Sequence, residues 1–161
     1  MTAKTQFSTS DAGSLITRTF LATVLFPHGC QLTFGLFGGS GFGPTMSYFT
    51  GVEKLPYFVG VMVILIQFLG SIFILAGLAT RLVSFSVVIL FIGMVLTSHI
   101  EFGFFMNWFG GQKGEGYEFH LLVIGMASSL IATGAGKYSA SALLQRLIKK
   151  PAIIWTKFLI D

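Results

Sequence analysis

The fold is decided by residues 57–99, which read Y-F-V-G-V-M-V-I-L-I-Q-F-L-G-S-I-F-I-L-A-G-L-A-T-R-L-V-S-F-S-V-V-I-L-F-I-G-M-V-L-T-S-H. Arg81 is the only aspartate, glutamate, lysine or arginine in this stretch, and it separates two apolar runs, 57–79 and 82–99. A helix rises about 1.5 Å per residue, so about 20 apolar residues cross the hydrocarbon core of a bilayer. The stretch therefore predicts two membrane-spanning helices that are antiparallel neighbours, because only a short turn at Arg81 joins them.

Two further apolar runs flank this pair, at residues 14–34 and 117–133. Residues 1–13 form a polar lead before them. In the final segment, residues 137–161, Leu143, Leu144, Leu147 and Ile148 share one helical face, which predicts an amphipathic helix lying in the membrane surface. The sequence thus predicts an all-α integral membrane protein, an antiparallel four-helix bundle over residues 14–136 with a C-terminal amphipathic interfacial helix.

The composition excludes several classes of protein. Only 10% of the residues are charged and the mean hydropathy is +0.82, whereas soluble domains have about 25% charged residues. The sequence pI is near 9.4, but the cations flank apolar runs instead of forming a basic polar face, so we expect a lipid bilayer and no nucleic acid as partner. Cys30 is the single cysteine, which excludes an internal disulfide and a C-x-x-C redox pair.

The basic residues also predict an orientation. Most of them fall on one side of the predicted spans: Lys4, Arg18, Arg81, Lys137, Arg146, Lys149, Lys150 and Lys157. Only Lys54 and Lys113 fall on the other side. The positive-inside rule then predicts a multi-pass protein of the bacterial inner (cytoplasmic) membrane with both termini in the cytoplasm. A glycine-rich loop at 35–56, with a short interfacial helix over 45–51, and the loop between the third and fourth spans would face outward.

Ionisable residues inside membrane spans are functional-site candidates because they are costly to bury in lipid. Arg18 is predicted to snorkel to the inner surface, and with Arg81 it is given a structural, interfacial role. His28, His99 and His120 all fall in the outer half of the predicted bundle. The outer half is therefore where we look for a ligand.

Three kinds of ligand are conceivable in this outer half: a metal ion, a haem and a quinone. A metal is less favoured, because His99 and Glu101, like Glu118 and His120, are two residues apart, and such positions on a helix point in different directions. A haem needs two axial histidines on facing helices, such as His28 with His99 or His120, and it is also less favoured.

The third ligand is a quinone or quinol headgroup, which needs hydrogen-bonding groups at each oxygen and an apolar path for its tail. Six residues form the predicted ligand site: His28, Gln31, Gln67, His99, Tyr117 and Glu118. No catalytic residue and no metal ligand is assigned.

Several local patterns over about residues 14–140 resemble the DoxX-like family of small four-helix membrane proteins. The pattern begins with Arg18 and with residues 28–32, H-G-C-Q-L, which are similar to the family's H-G-x-x-K-L. It continues through the glycine-rich residues 37–43, Tyr48-Phe49, residues 67–81, His99, residues 116–119 (G-Y-E-F) and residues 134–139 (G-A-G-K-Y-S). Two positions depart from the family pattern: Gln67 replaces a glutamate, which removes a proton acceptor, and Ala140 replaces an aspartate.

The resemblance implies a role in a membrane redox system, since the family name comes from a subunit of a thiosulfate:quinone oxidoreductase and other members look like membrane anchors for redox or sulfur-handling enzymes. Two functions follow. The first is a membrane redox protein with a quinone site in the outer half of the bundle. The alternative is a non-catalytic accessory subunit that packs against other subunits of a larger membrane complex, and Gln67 favours it.

Overall fold

The computed structural model of the chain describes residues 8–148, and within them every regular element is helical. The helices are α1 (Thr9–Phe34), α2 (Phe42–Gly51), α3 (Tyr57–Ala76), α4 (Thr80–Met94), α5 (Glu118–Thr133) and α6 (Ala140–Ile148). A π-helical turn, Val95–His99, and a 3-10 turn, Ile100–Phe102, extend α4. The all-α prediction is confirmed over these residues; most of the predicted polar lead (1–7) and the end of the predicted C-terminal segment (149–161) lie outside them.

The four longer helices pack around one apolar core. Helix α1 packs against α3 and α5, and α4 packs against the same two helices from the opposite side. The core side chains are Leu21, Ala22, Leu25, Ile74, Val87, Phe91, Val123, Ala127 and Leu130. The outside is also apolar, with exposed phenylalanine, leucine and isoleucine side chains along α1, α3, α4 and α5. Such an extensive exposed apolar surface is typical of a protein that contacts lipid or other proteins.

Two helices are long and apolar enough to cross a membrane, Tyr57–Ala76 and Thr80–Phe102. This criterion concerns only length and composition. Helix α5 is also apolar but has 16 residues. The structure therefore agrees with two of the predicted spans on this criterion, in the part of the chain from 8 to 148.

The helix ends differ from the predicted spans for local reasons. Helix α1 begins at Thr9, five residues before the predicted 14, and α3 ends at Ala76 because Gly77 adopts the left-handed conformation that closes many helices (φ +72°). The predicted span 82–99 is a regular α-helix only to Met94. The predicted helix at 45–51 begins earlier, at Phe42, and α5 agrees with 117–133 to within one residue.

Arg18 does not reach the surface as predicted. Its side chain is 1% exposed, and Nη2 donates a hydrogen bond to the carbonyl of Tyr138 at 2.6 Å. Gly77 leaves the space for this guanidinium, because a Cβ atom there would overlap Nη1 of Arg18. On the same end, Ser141 Oγ donates to the Gly77 carbonyl at 2.5 Å. We call this part of the bundle the Arg18 end (residues 9–18, 77–84 and 131–145).

Candidate functional site

The opposite end of the bundle contains all three histidines and a cavity of about 490 Å³. We call it the histidine cavity. Its polar lining residues are His28, Tyr48, Glu53, Gln67, Thr97, Ser98, His99, Lys113 and Glu115. Its apolar lining includes Leu32, Phe49, Val63 and Met94. The volume lies within the range of small-molecule sites, about 300–1,000 Å³.

A close contact between α1 and α3 brings His28 and Gln67 to the same cavity. At Gly29 the helices approach so closely that a Cβ atom would lie 2.5 Å from the Cα of Phe68 and 2.8 Å from the carbonyl carbon of Gln67. Only glycine permits this approach, as at close helix contacts in membrane proteins. Gln67 is 5% exposed, so its amide is presented to the cavity from a buried position on α3.

Gln31 orients the His28 ring. Gln31 Nε2 donates to the Phe37 carbonyl at 2.9 Å, which leaves Oε1 as the atom 3.1 Å from His28 Nδ1. Because an amide oxygen only accepts, His28 Nδ1 must be the donor, and in a neutral imidazole Nε2 is then an acceptor. Gln31 also anchors the glycine-rich loop, since its carbonyl accepts from the backbone N–H groups of Gly35 and Gly41.

The π-helical turn at Val95–His99 presents His99 to the cavity. The extra residue of such a turn changes the direction of the following side chains, and π turns are frequent at functional sites. His99 Nδ1 lies 2.9 Å from the Glu115 carbonyl oxygen, which only accepts. The same reasoning as for His28 makes Nε2 of a neutral His99 an acceptor.

His120 is buried behind His99 and does not line the cavity. It is 4% exposed, and its ring centroid lies 4.1 Å from that of His99 and 5.5 Å from that of Phe91. Its Nδ1 has no hydrogen-bond partner within residues 8–148.

Glu53 supplies a carboxylate that we did not predict. It follows α2, and its two oxygens accept hydrogen bonds from Tyr48 Oη at 2.6 Å and from Ser98 Oγ at 3.0 Å. The hydrogen bond to Glu53 raises the pKa of the Tyr48 hydroxyl above its usual value, and burial adds to the effect. The sequence offered one signal: Glu53 is the only acidic residue between the first two predicted spans.

The structure brings three of the six predicted site residues together in the cavity lining: His28, Gln67 and His99. Gln31 stands behind His28 as its hydrogen-bond partner. The other two do not line the histidine cavity. The Tyr117 ring packs edge-on against Phe104 with centroids 5.7 Å apart, and Glu118 accepts from Trp108 Nε1 at 3.2 Å in a separate cavity.

An apolar groove of about 370 Å³ runs between α3 and α4 and adjoins the histidine cavity. The two spaces share four lining residues: Leu55, Val63, Met94 and Thr97. Away from the shared wall, the groove is bounded by residues such as Val59, Met62, Ile66, Ile89 and Gly93. A cavity with polar side chains beside an apolar groove fits a ligand with a polar ring and an apolar chain.

The predicted site also bears on metal binding. Among residues 8–148, no group of three His, Cys, Asp or Glu side chains has the arrangement of a metal-binding set. Cys30 is buried and is not a lining residue of the histidine cavity.

A family model described as DoxX matches residues 13–100, which is more than half of the chain. No curated protein and no solved structure matches this chain. The matched residues include α1 to α4 and the π-helical turn, and therefore His28, Gln31, Glu53, Gln67 and His99.

Proposed function

The chain belongs to the DoxX family of membrane proteins, and from this premise we propose that it is a multi-pass protein of the bacterial inner membrane that binds a quinol in the histidine cavity. In this proposal α1, α3, α4 and α5 are the four spans. Both termini lie in the cytoplasm, because most cations flank the Arg18 end of the bundle. The histidine cavity then opens towards the outer surface.

The observation that carries the proposal is that the histidine cavity and the α3–α4 groove lie side by side and share four lining residues. Membrane quinols combine a small ring that carries two oxygens with a long apolar chain. The cavity provides polar groups at His28, His99 and Glu53, and the adjoining groove provides an apolar surface for the chain. The residues present therefore fit such a molecule.

The hydrogen-bonding groups favour the reduced form of the ring. Neutral His28 and His99 each present Nε2 as an acceptor, and the Glu53 carboxylate also only accepts. A hydroquinone donates two hydroxyl hydrogens, whereas a quinone has carbonyl acceptors, which would leave the two imidazole nitrogens unpaired. A bound quinol would supply two electrons and two protons. The chain's own residues hold the hydroxyl groups, and Gln31 fixes the orientation of His28.

The test is to purify the protein in mild detergent, extract bound lipids and measure quinone content. We expect quinone to copurify with the wild type, and His28→Ala to lose most of it. Binding of a decyl-substituted hydroquinone should be about thirtyfold tighter than binding of the matching quinone, since two unpaired hydrogen bonds each cost roughly 1 kcal/mol. A wild-type protein that binds neither form would refute the proposal.

A second candidate is the accessory-subunit role. It is favoured by the aromatic side chains of the loop after the 3-10 turn, where Phe105 and Trp108 are largely exposed and Phe109 is fully exposed. Such side chains are common in the centres of protein interfaces. For this role we expect a larger assembly on native electrophoresis that dissociates with Phe109→Ser. A monodisperse, quinol-binding single protein would argue against it.

A further inference from the structure

Another cavity lies at the Arg18 end, at the opposite end of the bundle from the histidines. Its volume is about 350 Å³, and it is bounded by the end of α5, the turn that follows it and the start of α6. The residues that matter here are Asp11, Arg81, Gly134, Lys137, Ser139 and Gln145. We call it the basic cavity.

The charges around the basic cavity do not balance. Asp11 is the only acidic residue among the described residues of the Arg18 end, and it is committed to Lys137. Asp11 Oδ2 lies 3.2 Å from Lys137 Nζ, and Oδ1 accepts from the Lys137 backbone N–H at 2.9 Å. This leaves the guanidinium groups of Arg18 and Arg81 without a carboxylate partner in the described part of the chain.

Arg81 presents its guanidinium at the wall of the basic cavity. One nitrogen, Nη1, donates to the Ile131 carbonyl at 2.8 Å and so fixes the side chain. The other two, Nε and Nη2, lie beside Gly134, where a Cβ atom would be 3.3 Å from each. Two adjacent N–H groups on one edge of a guanidinium are the arrangement that binds phosphate in a bidentate manner.

Arg18 adds positive charge directly behind this wall. Its Nε and Nη1 are buried without a hydrogen-bond partner in the described residues, and its Nη2 is bonded to Tyr138, the neighbour of Ser139 in the cavity wall. The Ser14 hydroxyl is also buried without a partner there, beside Gly136. An arginine in a protein does not lose its proton, so the buried charge favours an anion close by.

We propose that the basic cavity binds a phosphate group, with Arg81 as the main contact and Ser139 and Gln145 as neutral neighbours. Basic pockets between membrane helices on the cytoplasmic side bind the headgroups of acidic lipids. The natural source is accordingly the phosphodiester of an anionic phospholipid in the inner leaflet. Free inorganic phosphate has the same chemistry, and the experiment separates the two sources.

The experiment measures lipid retention by native mass spectrometry after reconstitution in nanodiscs of phosphatidylglycerol and phosphatidylcholine. We expect the wild type to retain phosphatidylglycerol and Arg81→Gln to retain it about tenfold less, because a charge-assisted hydrogen bond is lost. Arg146→Gln is the matched control: Arg146 is an exposed arginine on α6 that does not line the cavity, and its loss should leave retention unchanged.

A second pair of variants tests the same cavity in case Arg81→Gln does not fold. Gln145→Glu places a negative charge at the basic cavity with almost no change of shape, and Gln112→Glu makes the same change in the exposed loop at the histidine end. Only Gln145→Glu should lower retention. In lipid-free detergent, stabilisation by inorganic phosphate without preferential retention of phosphatidylglycerol would identify free phosphate as the source. Equal retention of both lipids together with no effect of phosphate would overturn the proposal, as would equal behaviour of each variant and its control.

Discussion

The imidazole rings of His99 and His120 are in direct contact, with centroids 4.1 Å apart, although 21 positions separate them in the chain. His99 has a hydrogen-bond partner in the Glu115 carbonyl and lines the histidine cavity. His120 is buried, and its Nδ1 has no partner in the described residues. The two rings therefore have different surroundings: His99 lines the cavity, and His120 packs behind it in the protein interior.

Phenylalanine substitutions should separate these roles. His120→Phe removes an unsatisfied buried nitrogen, which costs about 1–3 kcal/mol, so we expect the melting temperature in detergent to stay the same or rise. His99→Phe removes the hydrogen bond to Glu115 and should lower stability by about 0.5–1.5 kcal/mol. Quinol binding should fall strongly only in His99→Phe. A greater loss of stability in His120→Phe would show that His120 Nδ1 has a partner.

Two of the acids at the histidine end, Glu53 and Glu118, provide a matched test of where the ligand binds. Glu53 lines the histidine cavity, whereas Glu118 lies with Trp108 in the neighbouring one. We expect Glu53→Gln to weaken quinol binding about tenfold through loss of a charged acceptor, and Glu118→Gln to leave it unchanged. Isothermal titration calorimetry would measure the quinol affinity of both variants. The reverse order of effects would move the site to the Glu118 cavity.

The α3–α4 groove can be blocked without disturbing the helices. A Cβ atom at Gly93 meets no other atom within 4 Å and Gly93 lines the groove, so Gly93→Phe should fill it. Gly125→Phe is the control, because Gly125 on α5 is equally unobstructed and lies outside the groove. We expect Gly93→Phe to weaken binding of a decyl-substituted hydroquinone but not of a hydroquinone without a chain. If both ligands still bind Gly93→Phe normally, the chain takes another path.

Gly77 should tolerate no side chain. It has φ +72°, and a Cβ atom there would overlap the Arg18 guanidinium. Left-handed backbone costs about 1–2 kcal/mol for an L-residue and overpacking adds about 1–3 kcal/mol, so Gly77→Ala should destabilise the protein by roughly 2–5 kcal/mol. Gly125→Ala, in the middle of α5 with open space around it, should be neutral or slightly stabilising. Thermal unfolding in detergent would compare the two.

The Asp11–Lys137 contact should make stability depend on acidity. The hydrogen bond from the Lys137 backbone N–H lowers the pKa of Asp11 below 3.8 in the folded protein. The unfolded state then binds more protons near that pH, so this stabilisation is complete above the unfolded pKa and is lost as the pH falls through the folded one. As the pH falls below about 5, through the usual range of an aspartate carboxyl group, the wild type should lose more stability than Asp11→Asn. Parallel curves for the two proteins would contradict this.

Single cysteines can test the proposed orientation. Cys30 is buried, so it provides a low background for thiol labelling. In intact cells with a permeabilised outer membrane, an impermeant maleimide should label Gln112→Cys in the loop at the histidine end. It should label Arg146→Cys on α6 only after the inner membrane is opened. Both positions are exposed. Labelling in the opposite order would reverse the topology.

The sequence predicted the helices better than it predicted the site. Long apolar runs around Arg81 are sufficient to predict α3 and α4, since each run has the length of a bilayer span. The position of His99 was harder, because the turn Val95–His99 is π-helical and hydropathy does not register one inserted residue. Glu53 was missed because its place in the cavity wall depends on how the chain after α2 folds, with hydrogen bonds from Tyr48 and Ser98 to its carboxylate.

The burial of Arg18 also could not be predicted from the sequence. An arginine one turn into an apolar run is expected to extend towards water, and nothing local contradicts that expectation. Its burial depends on Gly77 and Tyr138, which are 59 and 120 positions away in the chain. Contacts over such separations are fixed by packing and cannot be read from one segment.

The π-helical turn has a consequence for how this protein tolerates change. Because it contains one residue more than an α-helical turn, removing a single residue between Val95 and Ser98 would let α4 continue as a regular helix. A π-helical turn absorbs its extra residue in one wider turn, so His99 would keep its direction towards Glu115 and His120 after this deletion. A deletion within the regular part of α4 would instead rotate every later side chain by about 100° around the helix axis. Among relatives, a one-residue gap at Val95–Ser98 would therefore mark chains that keep both the fold and the cavity, whereas a gap earlier in α4 would move His99 away from the cavity.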